Sequence, residues 1–248
     1  MFCNLKQLAG IAAVIALAFA PVAKGAGYVT LAPNSLDTVS LADLVLGNID
    51  GVIVGDKIFD AFNYSATNNM PAADKVNVLG ITDGDGNLGI RFQGAFQDLP
   101  DVGTQISSDA GITFEVTISP DYVNQGWIIT DAHLFGSGVG TDGAGSFIAV
   151  DESFTGNDPV TVETMTVYDS RLNQGGIQLE DWAFFEPGYT KLRVQKDIIA
   201  RASENAILPA RMTIIDQTFS QTQVPEPAAF GLLGLGLCSM ATRRRRGQ

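Results

Sequence analysis

The chain has 248 residues, 46% of them hydrophobic and 17% charged, with 27 Gly and 10 Pro; this apolar content supports a buried core and argues against disorder for the bulk of the chain. Acids outnumber bases by 27 Asp and Glu to 15 Lys and Arg, which argues against nucleic acid and anionic membrane as partners, because no basic face is left to displace counterions from phosphates. Low charge with many turn-forming residues suits strands better than long helices, so an all-β domain is expected.

In chain order, the first element is an apolar run over residues 8–20, preceded by Lys6 and followed by Pro21 and the small residues Ala23, Gly25 and Ala26. That is the three-part layout of a secretory signal peptide, expected to be a helix over residues 1–25 with cleavage after Gly25. Thirteen apolar residues rise only about 20 Å as helix, short of the roughly 30 Å of a bilayer core. Cys3 precedes the run, so it is not the lipid-modified cysteine of a lipoprotein. Cys238 lies near the other end, which leaves the segment between without disulfide or thiol chemistry.

Next, Ser40 caps a short helical turn with Leu41, Leu44 and Val45 on one face. From there a period of two dominates. Ile112, Phe114, Val116 and Ile118 alternate with Thr113, Glu115 and Thr117, the clearest strand in the chain. Further strands are expected over 57–64, 76–82, 88–93, 127–135, 160–168, 191–198 and 212–219, separated by Gly, Asn, Asp or Pro clusters. Within 160–168 the apolar positions shift parity from Val160 and Val162 to Met165 and Val167, the mark of a bulge or of a strand crossing between sheets. With no βαβ alternation and no internal repeat, these strands predict a single antiparallel β-sandwich of jelly-roll or immunoglobulin-like type over residues 26–223.

Few residues in this middle region suggest chemistry. Asp83, Asp85 and Asn87 have the oxygen ligands that open a calcium loop, but Leu88 and Gly94 stand where an EF-hand needs Gly and Glu. A looser calcium turn competes there with a plain β-turn. No other cofactor or metal site is expected. His133, the one histidine, lacks a nucleophile elbow and reads as structural or surface-exposed, and zinc has no ligand set. Glu180, Asp181, Trp182, Phe184, Phe185 and Glu186 form an acid-plus-aromatic cluster of the kind a glycosidase or sugar site uses, although Trp182 and the Phe pair read most simply as core. Trp127 and Trp182, with Tyr122 and Tyr189, are the sugar-stacking candidates. No catalytic residue is assigned.

The last element, residues 224–248, reads Val224, Pro225, Glu226, Pro227, then apolar and small residues over 228–242, then Arg243, Arg244, Arg245 and Arg246. Two prolines hold the acid in an extended stretch that an enzyme can grip. Fifteen residues then form a short apolar helix of about 22 Å, enough for a bilayer that thins locally around snorkelling arginines. The arginines stay in the cytoplasm, which leaves Pro225–Glu226–Pro227 on the outer side.

In that order these residues resemble the PEP-CTERM domain, the sorting tag of exported proteins in Gram-negative bacteria that make exopolysaccharide. The resemblance implies recognition of Pro225, Glu226 and Pro227 by a membrane-embedded exosortase, transient insertion through the C-terminal helix, and delivery to the outer surface or extracellular matrix. Lys6, Lys24 and the terminal arginines leave with the processed ends, as does Glu226, so residues 26–224 carry 9 bases and 26 acids, a net charge of −17. The expected role is structural or adhesive within an exopolysaccharide layer; carbohydrate binding is the alternative, and glycan hydrolysis a distant third.

Overall fold

The computed structural model describes residues 27–101, 106–156, 160–171 and 176–224. In chain order these form β1 (Tyr28–Thr30), β2 (Thr38–Ser40), α1 (Leu41–Val45), β3 (Gly51–Val54), β4 (Lys57–Ala66), β5 (Asn77–Thr82), β6 (Leu88–Asp98), β7 (Ser108–Ile118), α2 (Pro120–Val123), β8 (Trp127–Ser137), β9 (Phe147–Thr155), β10 (Thr161–Ser170), β11 (Ile177–Gln178), β12 (Glu180–Tyr189), β13 (Lys191–Arg201) and β14 (Ala210–Gln223). A 3₁₀ turn spans Ala73–Lys75. The strands make an eight-stranded sheet, β1-β3-β4-β7-β13-β9-β10-β11, and a six-stranded sheet, β12-β8-β14-β6-β5-β2. The pair β1–β3 is parallel, and every other pairing between the strands is antiparallel. The chain is thus the all-β sandwich its sequence leads one to expect. The terminal helices expected over 1–25 and 228–242 lie outside the described residues.

Alternation explains which face each strand buries. In β7, Ile112, Phe114, Val116 and Ile118 point into the space between the sheets, and in β13 Leu192, Val194, Ile198 and Ala200 do the same. Seven phenylalanines link across this core. Phe219 of β14 lies 6.1 Å from Phe59 of β4 and 6.4 Å from Phe154 of β9, and Phe154 lies 5.2 Å from Phe185 of β12. Phe62, Phe92 and Phe114 continue the cluster. Such pairs each contribute about 0.5–1.5 kcal/mol beyond simple area burial.

Six strands lie outside the stretches that alternation predicts, the short β1, β2, β3 and β11 and the long β9 and β12. β9 escapes a search for alternation because Glu152 occupies an inward position between Val150 and Phe154. β12 escapes because both of its faces carry aromatics, which removes the polar–apolar contrast. The parity change near residue 162 is a register shift between Thr161 and Glu163 where β10 pairs with β9, a bulge within one sheet. Ser40 caps α1 as expected, its Oγ accepting from the Ala42 N–H at 3.2 Å.

Two lysines face inward, and β14 answers both. Lys196 Nζ on β13 donates to Glu152 Oε2 at 2.5 Å and to Gln217 Oε1 at 2.6 Å, and Gln217 Nε2 in turn donates to the His133 carbonyl at 3.1 Å. Burial pulls the Lys196 ammonium below its ordinary pKa and pushes the Glu152 carboxyl above its own, each effect opposed by the partner's charge. Four residues along β14, Gln221 accepts from Lys57 Nζ at 3.3 Å and donates to Asp56, which also pairs with Lys57 at 3.0 Å. Phe219 sits between these glutamines in sequence. Removing one member of a buried pair leaves an uncompensated charge. Lys196→Met should therefore lower unfolding stability by about 3–5 kcal/mol in urea titrations, and adding Glu152→Leu should recover most of that loss.

Candidate functional site

Register alone assembles a row of side chains on the outer face of the six-stranded sheet. Trp182 of β12 pairs with His133 of β8, His133 with Thr218 of β14, Thr218 with Gly89 of β6, and Gly89 with Ile81 of β5. Directly paired residues of an antiparallel sheet share a face, and the neighbouring positions Ala183, Leu134, Gln217 and Ile90 are buried on the other side. The adjacent row is Glu180, Phe135, Asp216 and Arg91. Gly89 is held to its type by close approach, since a Cβ there would lie 1.8 Å from the Gln217 carbonyl oxygen.

The turn between β5 and β6 closes one wall over these rows, and its keystone is Asp83. Its Oδ1 accepts from the backbone N–H of Asp85 at 3.0 Å and of Asn87 at 2.9 Å. Its Oδ2 accepts from Asn87 Nδ2 at 3.0 Å and Thr218 Oγ1 at 2.7 Å, and lies 3.2 Å from His133 Nδ1. The other ring nitrogen of His133, Nε2, is 2.9 Å from Asp131 Oδ1. Arg91 forms a two-pronged pair with Asp216, at 2.7 and 2.8 Å, which raises the guanidinium above its ordinary pKa. Asp83, Asp85, Arg91, His133, Asp216 and Thr218 line a cavity of about 340 Å³, within the size range of small-ligand sites.

Trp182 forms the opposite wall. It is 51% exposed and meets His133 edge-on, with ring centroids 6.2 Å apart at 73°. Phe184 and Phe135 are exposed on the same face. Trp182 and Phe184 are therefore not core, and only Phe185 of that cluster packs inward. Its neighbour Asp181 is structural, with Oδ2 accepting from the Thr166 N–H of β10 at 2.8 Å. Trp127 is half-buried against the core and meets Tyr122 edge-on at 6.3 Å. It stands six residues from His133 along β8, about 20 Å at strand spacing, so the two tryptophans do not share a groove. Tyr189 packs on Phe185.

Of the calcium-turn residues, Asp83 and Asp85 line the cavity, while Asn87 braces Asp83. Among the described residues no group of three or more His, Cys, Asp or Glu is arranged to hold a metal ion, and no serine hydrogen-bonds to His133. Sequence reading separated residues that the sheet unites. Arg91, Asp216 and Thr218 carried no motif; their one sequence signal is a polar side chain interrupting apolar strand positions. Burial pushes the Asp83 carboxyl up, but hydrogen bonds from Thr218, Asn87 and the backbone outweigh it and hold the carboxyl below its ordinary pKa. A depressed carboxyl adds stability that is present above about pH 4 and is lost as pH falls through the folded-state pKa. Thermal melts between about pH 5 and 2 should show the gap between wild type and Asp83→Asn closing as pH falls.

At the end of β14, the Val224 N–H donates to the Gly126 carbonyl at 2.9 Å. Pro225, Glu226, Pro227 and Arg243 to Arg246 lie outside the described residues, and within them no helix is long and apolar enough to cross a membrane. The sandwich has an alignment with the enzymatically active domain of bacteriophage CBA120 tailspike protein 4, at 10% identity and TM-score 0.25, over 67% of this chain and 20% of that one. A second alignment, with a DUF4465 family protein from Bacteroides caccae, has 9% identity and TM-score 0.27, over 64% of this chain and 91% of that one. No curated protein matches the sequence. The PEP-CTERM protein-sorting motif matches residues 223–246, the segment whose Pro-Glu-Pro, apolar run and arginines are set out above. The chain accordingly carries a PEP-CTERM protein-sorting motif over residues 223–246, a tag that implies an exported protein sorted via exosortase.

Proposed function

We propose that the sandwich acts outside a Gram-negative cell as an adhesive, glycan-binding component of an exopolysaccharide layer, with the cavity beside Trp182 as its binding site and no catalysis of its own. The observation that carries this reading is the half-exposed indole of Trp182 on the cavity wall, fixed edge-on by His133. An indole face left in water costs hydrophobic free energy that a sugar ring's C–H face recovers on stacking. Around it, Arg91, Asp216 and Thr218 already hold one another or Asp83, so polar groups are oriented before any ligand arrives and little ordering entropy remains to be lost. Several exposed aromatics on one face are the feature that separates a binding module from a purely structural sandwich. Of the acids near the cavity, Asp83, Asp131 and Asp216 are engaged in pairs or turn hydrogen bonds, so they serve to fix the site's shape.

The test is a polysaccharide array probed with the full chain in neutral detergent, with and without calcium, since Asp83, Asp85 and Asn87 stand at the cavity rim. Selective retention is expected, with Trp182→Ala weakening it about 30-fold, equivalent to about 2 kcal/mol, while Trp127→Ala leaves it unchanged. Bound glycan should be recovered intact, with no new reducing ends. Retention of no glycan in either condition would return the sandwich to a packing role alone.

A further inference from the structure

We infer that the sugar this cavity takes is a cationic amino sugar, held by Asp85 and Glu180 with Trp182; the inference rests on the glycan reading above and specifies its ligand class. The cavity's own cation is spent, with Arg91 bound in two-pronged fashion by Asp216. His133 is flanked by Asp83 on one nitrogen and Asp131 on the other. Two lining carboxylates remain, Asp85 at the tip of the β5–β6 turn and Glu180 at the start of β12, both exposed and without a side-chain hydrogen bond or ion pair among the described residues. Glu180 lies two residues from Trp182 on the same face.

This arrangement sorts sugars by charge. A uronate would bring a third carboxylate to two that have no counter-charge and would find no free cation. A neutral sugar would gain the Trp182 face but would have to strip water from Asp85 and Glu180 in return for uncharged hydrogen bonds. A protonated amine gains charge-assisted hydrogen bonds from the carboxylates, which are about twice as strong as neutral ones, and attraction to the face of the indole. The net charge of −17 over residues 26–224 adds a long-range field that draws in a polycation. A divalent cation is the poorer fit, since no group of three ligating side chains gathers there among the described residues.

The experiment titrates the full-length chain, in neutral detergent, with oligosaccharides matched in length: a glucosamine oligomer, its fully N-acetylated counterpart, a neutral β-glucan and an oligouronate, with oligolysine alongside. The glucosamine oligomer should bind about tenfold more tightly than the acetylated one, and high salt should erode that margin. In the Asp85→Asn/Glu180→Gln variant, shown folded by circular dichroism, the margin should vanish while acetylated sugar still binds. Equal or tighter binding of the acetylated or uronate sugar overturns the inference and leaves the glycan reading intact. Oligolysine binding as tight as the glucosamine oligomer overturns the sugar assignment, since the carboxylates would then be recognising amines at large. Failure of every oligosaccharide to bind removes the glycan reading itself.

Discussion

The register of β14 is the constraint on which the rest depends. This strand is paired on both sides, by β8 and by β6, and its alternate residues serve two different purposes. Ile215, Gln217 and Phe219 turn inward, where Gln217 receives Lys196 and Phe219 meets Phe59 and Phe154. Asp216 and Thr218 turn outward, where they anchor Arg91 and Asp83. A slip of one residue would exchange the two sets, burying Asp216 and exposing Phe219. Core and cavity are therefore specified by the same hydrogen-bonded ladder.

The inward lysines make that register more exacting than a purely apolar core would. An oily interface tolerates small shifts, because its attraction is non-directional. Lys196 and Lys57 instead need acceptors at hydrogen-bond distance, and β14 supplies Gln217 and Gln221 at the matching heights. Such buried polar groups contribute little net stability when satisfied and cost several kcal/mol when not. Their effect is to penalise every wrong pairing of the two sheets. Through Gln217 the same network reaches the backbone of His133, so the inner layer also sets the height of a cavity residue on the outer face.

The cavity shows the complementary economy. Most of its polar side chains are held by one another, while Asp85, Glu180 and the exposed aromatic faces of Trp182 and Phe135 are left for a partner. Nothing in this arrangement calls for a moving lid. Rigid strands carry Trp182, His133, Thr218 and Arg91, and the single turn that contributes is tied down by the hydrogen bonds of Asp83. The end of β14 is likewise pinned, with Val224 bonded to Gly126 immediately before the sorting motif's first proline.

By itself the sequence determined what is local or compositional. The sorting tag was legible because order along the chain is its whole signal, and the sandwich was legible because Ile112 to Ile118 and its like carry the period of a half-buried strand. The bulge near residue 162 and the Ser40 cap followed from the same short-range rules. Only the tertiary structure decided which strands are neighbours, and hence that Trp182, His133, Thr218 and Arg91 share one face. It also reversed the expectation that Trp182 is core, since β12 has aromatics on both faces and its edge position, not its composition, leaves one of them in water. Pairing between strands distant in sequence depends on contacts that no single segment encodes, and a site built across such pairings appears only when the sheet is complete.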